Sequence, residues 1–155
     1  MGAALKNKFA DGTVKREDLF ITGKIWCHCF RPENIEKCLD DSLKKLGLEY
    51  LDLVLLHSPM PLQFHGLEQG FPFADGKPLI DDDVHYTDTW KGLVKIYKET
   101  DKLKAIGVSN YNQFQIEKLA EVSSDIMPAI NQVEMHPYLN QADLIETCSK
   151  YGIII

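Results

Sequence analysis

The run Leu51-Asp52-Leu53-Val54-Leu55-Leu56-His57 most constrains how this chain folds. From Leu51 to Leu56 it is apolar everywhere except Asp52, and it ends in a histidine. A strand with one wet face alternates apolar and polar residues. A near-continuous apolar run suits a strand whose sheet is covered on both faces, as in parallel sheets. Parallel strands are joined by crossovers of a dozen or more residues, so the neighbouring strands must lie far off in sequence.

Four further stretches meet that requirement. Leu19-Phe20-Ile21-Thr22 begins a strand that reaches roughly to Trp26. Residues 105–110 and 129–135 read as two more, and Gly152-Ile153-Ile154-Ile155 begins another. Helical patterns separate them. Leu5 and Phe9 are spaced i, i+4 before Asp11-Gly12 ends the pattern. Arg31-Pro32-Glu33 opens a helix with proline in its first turn, and Ile35, Leu39, Leu43 and Leu46 mark its apolar face. Trp90, Leu93, Val94 and Tyr97 mark the next, Ile116 and Leu119 a short one, and Leu144, Ile145 and Cys148 the last. Strands alternating with helices predict an α/β fold with a parallel sheet. Neither G-x-G-x-x-G nor G-x-x-x-x-G-K-[ST] occurs, so the nucleotide-binding doubly wound fold lacks its signature and a (β/α)₈ barrel is favoured.

Between Ser58 and Val84 the periodicity fails, and prolines and glycines punctuate a long loop of the kind that carries function. Asp81-Asp82-Asp83 at its end is read as a solvated helix N-terminus, where acidic groups suit the dipole. A net charge of −6 excludes the basic face that a nucleic-acid partner requires. No apolar run approaches the ~20 residues of a membrane-spanning helix, and the N-terminus resembles no signal peptide, so a cytoplasmic location is expected. Cysteines stand at 27, 29, 38 and 148. Cys27-His28-Cys29 offers metal-ligand types, but the spacing is not C-x₂₋₄-C and no second ligand pair is evident in sequence, so reduced thiols and no metal are expected.

In a (β/α)₈ barrel the chemistry gathers at the C-terminal ends of the strands. The first strand here carries Lys24 near that end, the second ends in His57, and the third in Ser109-Asn110. The fourth carries Asn131, Gln132 and Glu134 within an apolar run. Each alone is weak, since a histidine after an apolar strand is more often structural and a lysine near a strand end is usually just exposed. Together they place hydrogen-bonding groups, rather than solubilising charge, at one end of the sheet.

These segments resemble the aldo-keto reductase family. Leu19-Phe20-Ile21-Thr22-Gly23-Lys24-Ile25-Trp26 is similar to its lysine strand, and Leu51 through Pro59 to its histidine strand. Lys104-Ala105-Ile106-Gly107-Val108-Ser109-Asn110-Tyr111 and Asn131-Gln132-Val133-Glu134-Met135-His136-Pro137-Tyr138 resemble two further family segments, in order and with matching spacing. The resemblance implies a partial (β/α)₈ TIM barrel, roughly the third to sixth strands and the start of the seventh, forming one incomplete domain over residues 1–155.

It also implies NADPH-dependent reduction of aldehydes and ketones in a longer parent enzyme, bound to a small-molecule carbonyl substrate. Lys24 would lower the pKa of a proton-donating tyrosine. His57 would orient the substrate carbonyl. Ser109, Asn110 and Gln132 would hold the nicotinamide carboxamide, and Trp26 would wall the substrate pocket under the 58–84 loop. The family's tyrosine and aspartate have no counterpart here, since Tyr50 and Asp52 lie at the wrong end of a strand. The isolated chain is therefore expected to be inactive and to self-associate along open sheet edges, whereas the parent is expected to be monomeric. The second reading is a truncated, non-catalytic module that binds cofactor or regulates a partner. Many relatives carry Trp after the histidine, where this chain has Ser58, so substrate preference does not transfer.

Overall fold

The structure, a computed structural model, describes residues 1–123 and 125–155. Four parallel strands form the main sheet in the order β1 (Thr22–Ile25), β2 (Leu53–Leu56), β5 (Ile106–Ser109), β6 (Asn131–Gln132). The expected fifth strand reduces to a single parallel bridge between Ile154 and Ile130. The strands are shorter than their apolar runs suggest, because Leu51 pairs with Leu103 through an isolated bridge and Leu19-Phe20 stays outside the ladder. Among the described residues the sheet does not close. The parallel sheet is as the strand–helix alternation predicted, and the partial barrel is as the family resemblance implied.

Among the described residues five α-helices accompany it: α1 (Gly2–Ala10), α2 (Pro32–Leu46), α3 (Tyr86–Glu99), α4 (Gln113–Val122) and α5 (Ala142–Lys150). Proline at the start of α2 lacks an N–H that would have no partner there, and Gly47 ends the helix in the left-handed region at φ +71°. Ile35 and Leu39 are fully buried, as are Leu93 of α3 and Ile116 and Leu119 of α4. Ile145, counted with the α5 face, instead points outward. None of the described helices is long and apolar enough to cross a membrane.

The alternation of β2 decides which side of the sheet does what. Val54 and Leu56 join the hydrophobic core under the helices. Leu53, Leu55 and then His57 must therefore face the opposite, inner side. Leu53 and Leu55 are themselves buried. Gly107 sits on this inner side opposite Leu55, where a Cβ would stand 2.6 Å from the Ile130 carbonyl and 2.8 Å from Leu55 Cδ2. Only glycine allows the strands and the Leu55 side chain to approach that closely.

The long loop is more ordered than its composition suggests. Phe73–Ala74 (β3) and Lys77–Pro78 (β4) form a small antiparallel hairpin, and Leu62 bridges to Ile80. The acidic triplet does not start a helix. His85 caps α3 by accepting from the Thr87 N–H, while Asp81 is buried and accepts two hydrogen bonds from Arg31, both at 2.7 Å. That fork ties the end of the loop to the start of α2. Asp52, on the opposite end of the sheet from His57, accepts from Arg16 at 2.7 Å and from the Ile21 N–H at 2.8 Å, which closes the N-terminal ends of β1 and β2.

Candidate active site

Register brings the sequence-predicted residues to one face. Lys24 pairs with Leu55, and Leu55 pairs with Gly107, so Lys24 shares the inner side of the sheet. Ser109 follows Gly107 by two residues and pairs with Gln132, which places both there as well. His57 stands just past β2 on the same side, and its N–H donates to the Ile25 carbonyl at 3.1 Å. Lys24, His57, Ser109 and Gln132 thus share one face at the C-terminal ends of four adjacent strands, and Asn110 stands just beyond Ser109.

A hydrogen-bond relay links four of them. Ser109 Oγ donates to the Gln132 carbonyl at 2.7 Å. Asn110 Nδ2 donates to Ser109 Oγ at 3.2 Å and to the His57 carbonyl at 2.8 Å. Asn110 itself is left-handed at φ +62°, and its N–H donates to the Gln132 carbonyl at 3.0 Å. Asparagine tolerates that backbone better than most residues, and the turn swings its side chain back across the strand ends. The Gln132 side chain makes no hydrogen bond with the described residues and is exposed.

His57 is held neutral. Burial lowers its pKa below 6.5, and the nearby Lys24 ammonium lowers it further. Trp26 meets the His57 ring edge to face, with ring centres 4.5 Å apart. The Trp26 indole N–H donates to the Gly70 carbonyl, and its ring lies 5.7 Å from that of Phe71. Trp26 therefore connects the histidine to the long loop. Ser58, the departure beside His57, meets the Cys27 thiol, whose pKa burial raises to about 11.

One contributor had only a weak sequence signal. Asn131 pairs with Val108 and so faces the helices rather than the site. It is fully buried, donates to the Tyr111 carbonyl at 2.8 Å and accepts from the Tyr111 N–H at 3.3 Å. It fixes the backbone immediately after Asn110. Tyr111 is no proton donor for the site: its hydroxyl is buried without a partner among the described residues, and burial drives its pKa up. Tyr86 packs edge-on against it at 5.5 Å.

The cysteines depart from expectation. Cys29 and Cys38 are disulfide-bonded, whereas Cys27 and Cys148 are free and buried. Spacing alone missed this because the partner of Cys29 lies a turn and a half into α2. Together with His28 they form a buried group whose ligand atoms all lie within 4.8 Å of one another.

The sequence profile of the aldo/keto reductase family matches residues 1–155. The chain belongs to that family. Mouse estradiol 17 beta-dehydrogenase 5 is 45% identical over 156 aligned residues, covering 100% of this chain and 47% of the mouse protein. Rat aldo-keto reductase family 1 member C15 is 48% identical and bovine prostaglandin F synthase 1 is 43% identical, each with the same coverage of 100% and 47%. The solved aldose reductase from Schistosoma japonicum superimposes with a TM-score of 0.89 at 40% identity, over 98% of this chain and 49% of that one. The chain spans about half the length of the curated relatives it matches.

Proposed function

We propose that this chain supplies the lysine–histidine–amide part of an NADPH-dependent carbonyl reductase site. The observation that carries the reading is the shared inner-face placement of Lys24, His57, Ser109 and Gln132. Membership of the aldo/keto reductase family supports it.

The amides suit a nicotinamide carboxamide, which needs one donor and one acceptor. Asn110 Nδ2 is engaged internally, leaving its Oδ1 as acceptor, and both atoms of the Gln132 amide are free among the described residues. The Ser109 hydroxyl donates its hydrogen bond to the Gln132 backbone carbonyl and serves to set the pair. When bound, the reduced nicotinamide supplies a hydride to the carbonyl carbon. His57, uncharged, donates one ring N–H to the carbonyl oxygen and orients it without competing as a strong acid. Lys24 supplies positive charge beside the developing alkoxide and beside a phenolic donor, favouring proton release from the latter. Trp26 walls one side of the site, with Phe71 against its ring.

Tyr50 lies at the opposite end of the sheet and Tyr111 is buried without a partner among the described residues, so the 155-residue chain by itself is expected to turn over little or no aldehyde. Two measurements test this. NADPH oxidation with an aromatic aldehyde should stay near background, and robust turnover would overturn the division of labour. Reduced nicotinamide mononucleotide should shift the side-chain amide NMR signals of Asn110 and Gln132 specifically. Shifts elsewhere, or none at millimolar ligand, would reject the carboxamide site.

A further inference from the structure

Cys29 ends the short 3₁₀ turn Cys27–Cys29 that follows β1, and Cys38 lies in α2. Their Cα atoms are 6.3 Å apart, within the range that a disulfide spans without backbone movement. Both are almost fully buried. The turn they tether also adjoins the candidate site. It begins directly after Trp26, which meets His57. The Cys27 carbonyl accepts from the Leu62 N–H at 3.1 Å, and the His28 ring stacks on Phe64 at 5.7 Å. On its other side the Phe30 carbonyl accepts from Thr89 at 2.8 Å. Releasing one tether therefore loosens a segment that holds both the indole and the first part of the long loop.

We propose that Cys29 and Cys38 form a reversible, redox-controlled clamp that fixes the Trp26–His28 segment against α2 and thereby holds the 62–71 part of the loop over the candidate site. His28 Nε2 lies 3.4 Å from Cys29 Sγ, within reach of the thiol proton when the pair is reduced.

The closing step balances with a low-molecular-weight disulfide such as oxidised glutathione. Cys38, the more exposed of the two, attacks one glutathione sulfur as thiolate. The S–S bond of glutathione breaks, one glutathione leaves as thiol, and a mixed disulfide forms on Cys38. Cys29, its proton taken up through His28, then attacks the Cys38 sulfur and expels the second glutathione. The chain loses two protons and two electrons, and the glutathione disulfide gains them. Because both sulfurs are buried, exchange in the folded chain waits on local opening of the turn.

The formation of this bond is independent of the carbonyl-reductase reading; only its consequence for the pocket rests on it. The test equilibrates the intact chain in glutathione buffers of varied oxidised-to-reduced ratio. Free thiols are then trapped with an alkylating agent in denaturant, followed by intact mass and peptide mapping. The oxidised chain should be about 2 Da lighter before alkylation, should take label on Cys27 and Cys148 only, and should yield a cross-linked 29–38 peptide. Reduction of the native chain should be at least about tenfold slower than in denaturant. On reduction, amide hydrogen exchange in 62–71 should accelerate about tenfold, while exchange in β2 and β5 stays unchanged. Cys38→Ser should show the fast loop exchange in either buffer, and Cys38→Ala guards against a solvation effect of serine. Four alkylatable thiols in oxidising buffer would overturn the proposal. So would one zinc ion held per chain by His28, Cys29 and Cys38, or identical loop exchange in both redox states.

Discussion

Replacing Asn131 with alanine removes two hydrogen bonds to the Tyr111 backbone, at 2.8 and 3.3 Å, from a fully buried position. A typical intramolecular hydrogen bond contributes roughly 0.5–1.5 kcal/mol net, and stranding a buried partner costs about 1–3 kcal/mol. Tyr111 is itself buried, so water does not readily replace the lost amide. The short donation to the carbonyl carries most of the effect, and the longer acceptance carries less. The expected loss is about 3 kcal/mol of folding stability. In urea unfolding followed by tryptophan fluorescence, the midpoint should fall at unchanged slope. Asn131→Asp keeps the size and the acceptor but turns the donor into a second acceptor facing a carbonyl. It should be at least as damaging near neutral pH and should recover as pH falls, because a protonated carboxyl can donate again. A loss below about 1 kcal/mol for the alanine variant would refute the idea that this amide organises the turn after Asn110.

Three further outcomes follow from the same geometry. His57 has a folded pKa below its unfolded value of 6.5, so its contribution to stability is fully present above that value and is lost as pH falls through the lowered one; Lys24→Met should raise the His57 pKa seen by NMR, and no change would show that the lysine does not act on it. Gly107→Ala would place a methyl group 2.6 Å from the Ile130 carbonyl and should cost about 1–3 kcal/mol, with an unchanged thermal midpoint counting against the close approach. The outer edge of β1 has no partner strand among the described residues and borders a groove of about 330 Å³ lined by Lys24, Ile25, Leu39 and Leu51, so the chain should self-associate in sedimentation or light scattering, and a sharp cooperative melt of a strict monomer would contradict this.

Periodicity and strand chemistry made much of this protein legible before any coordinates. The apolar Leu51–Leu56 run predicts a strand covered on both faces, and both of its faces are buried. Lys24, His57, Ser109, Asn110 and Gln132 are each visible as polar residues at strand ends, since local alternation and the barrel's polarity already assign them a side and an end. Gly47 and Pro32 mark the ends of α2 for equally local reasons.

Tertiary structure alone decided the features that depend on partners distant in the chain. Asp81 looks like a solvated helix start in sequence, yet it is buried because Arg31, 50 residues earlier, supplies a guanidinium fork. Cys38 carries no spacing signal toward Cys29, because helix geometry rather than sequence separation sets the distance between them. Asn131 and Gln132 are neighbours in sequence with opposite duties, one bracing Tyr111 under the helices and one on the site face. A side chain's chemistry is written in its own residue, and its side of a strand in the local period. Which backbone group or charge it meets is set only when the sheet register brings remote segments together.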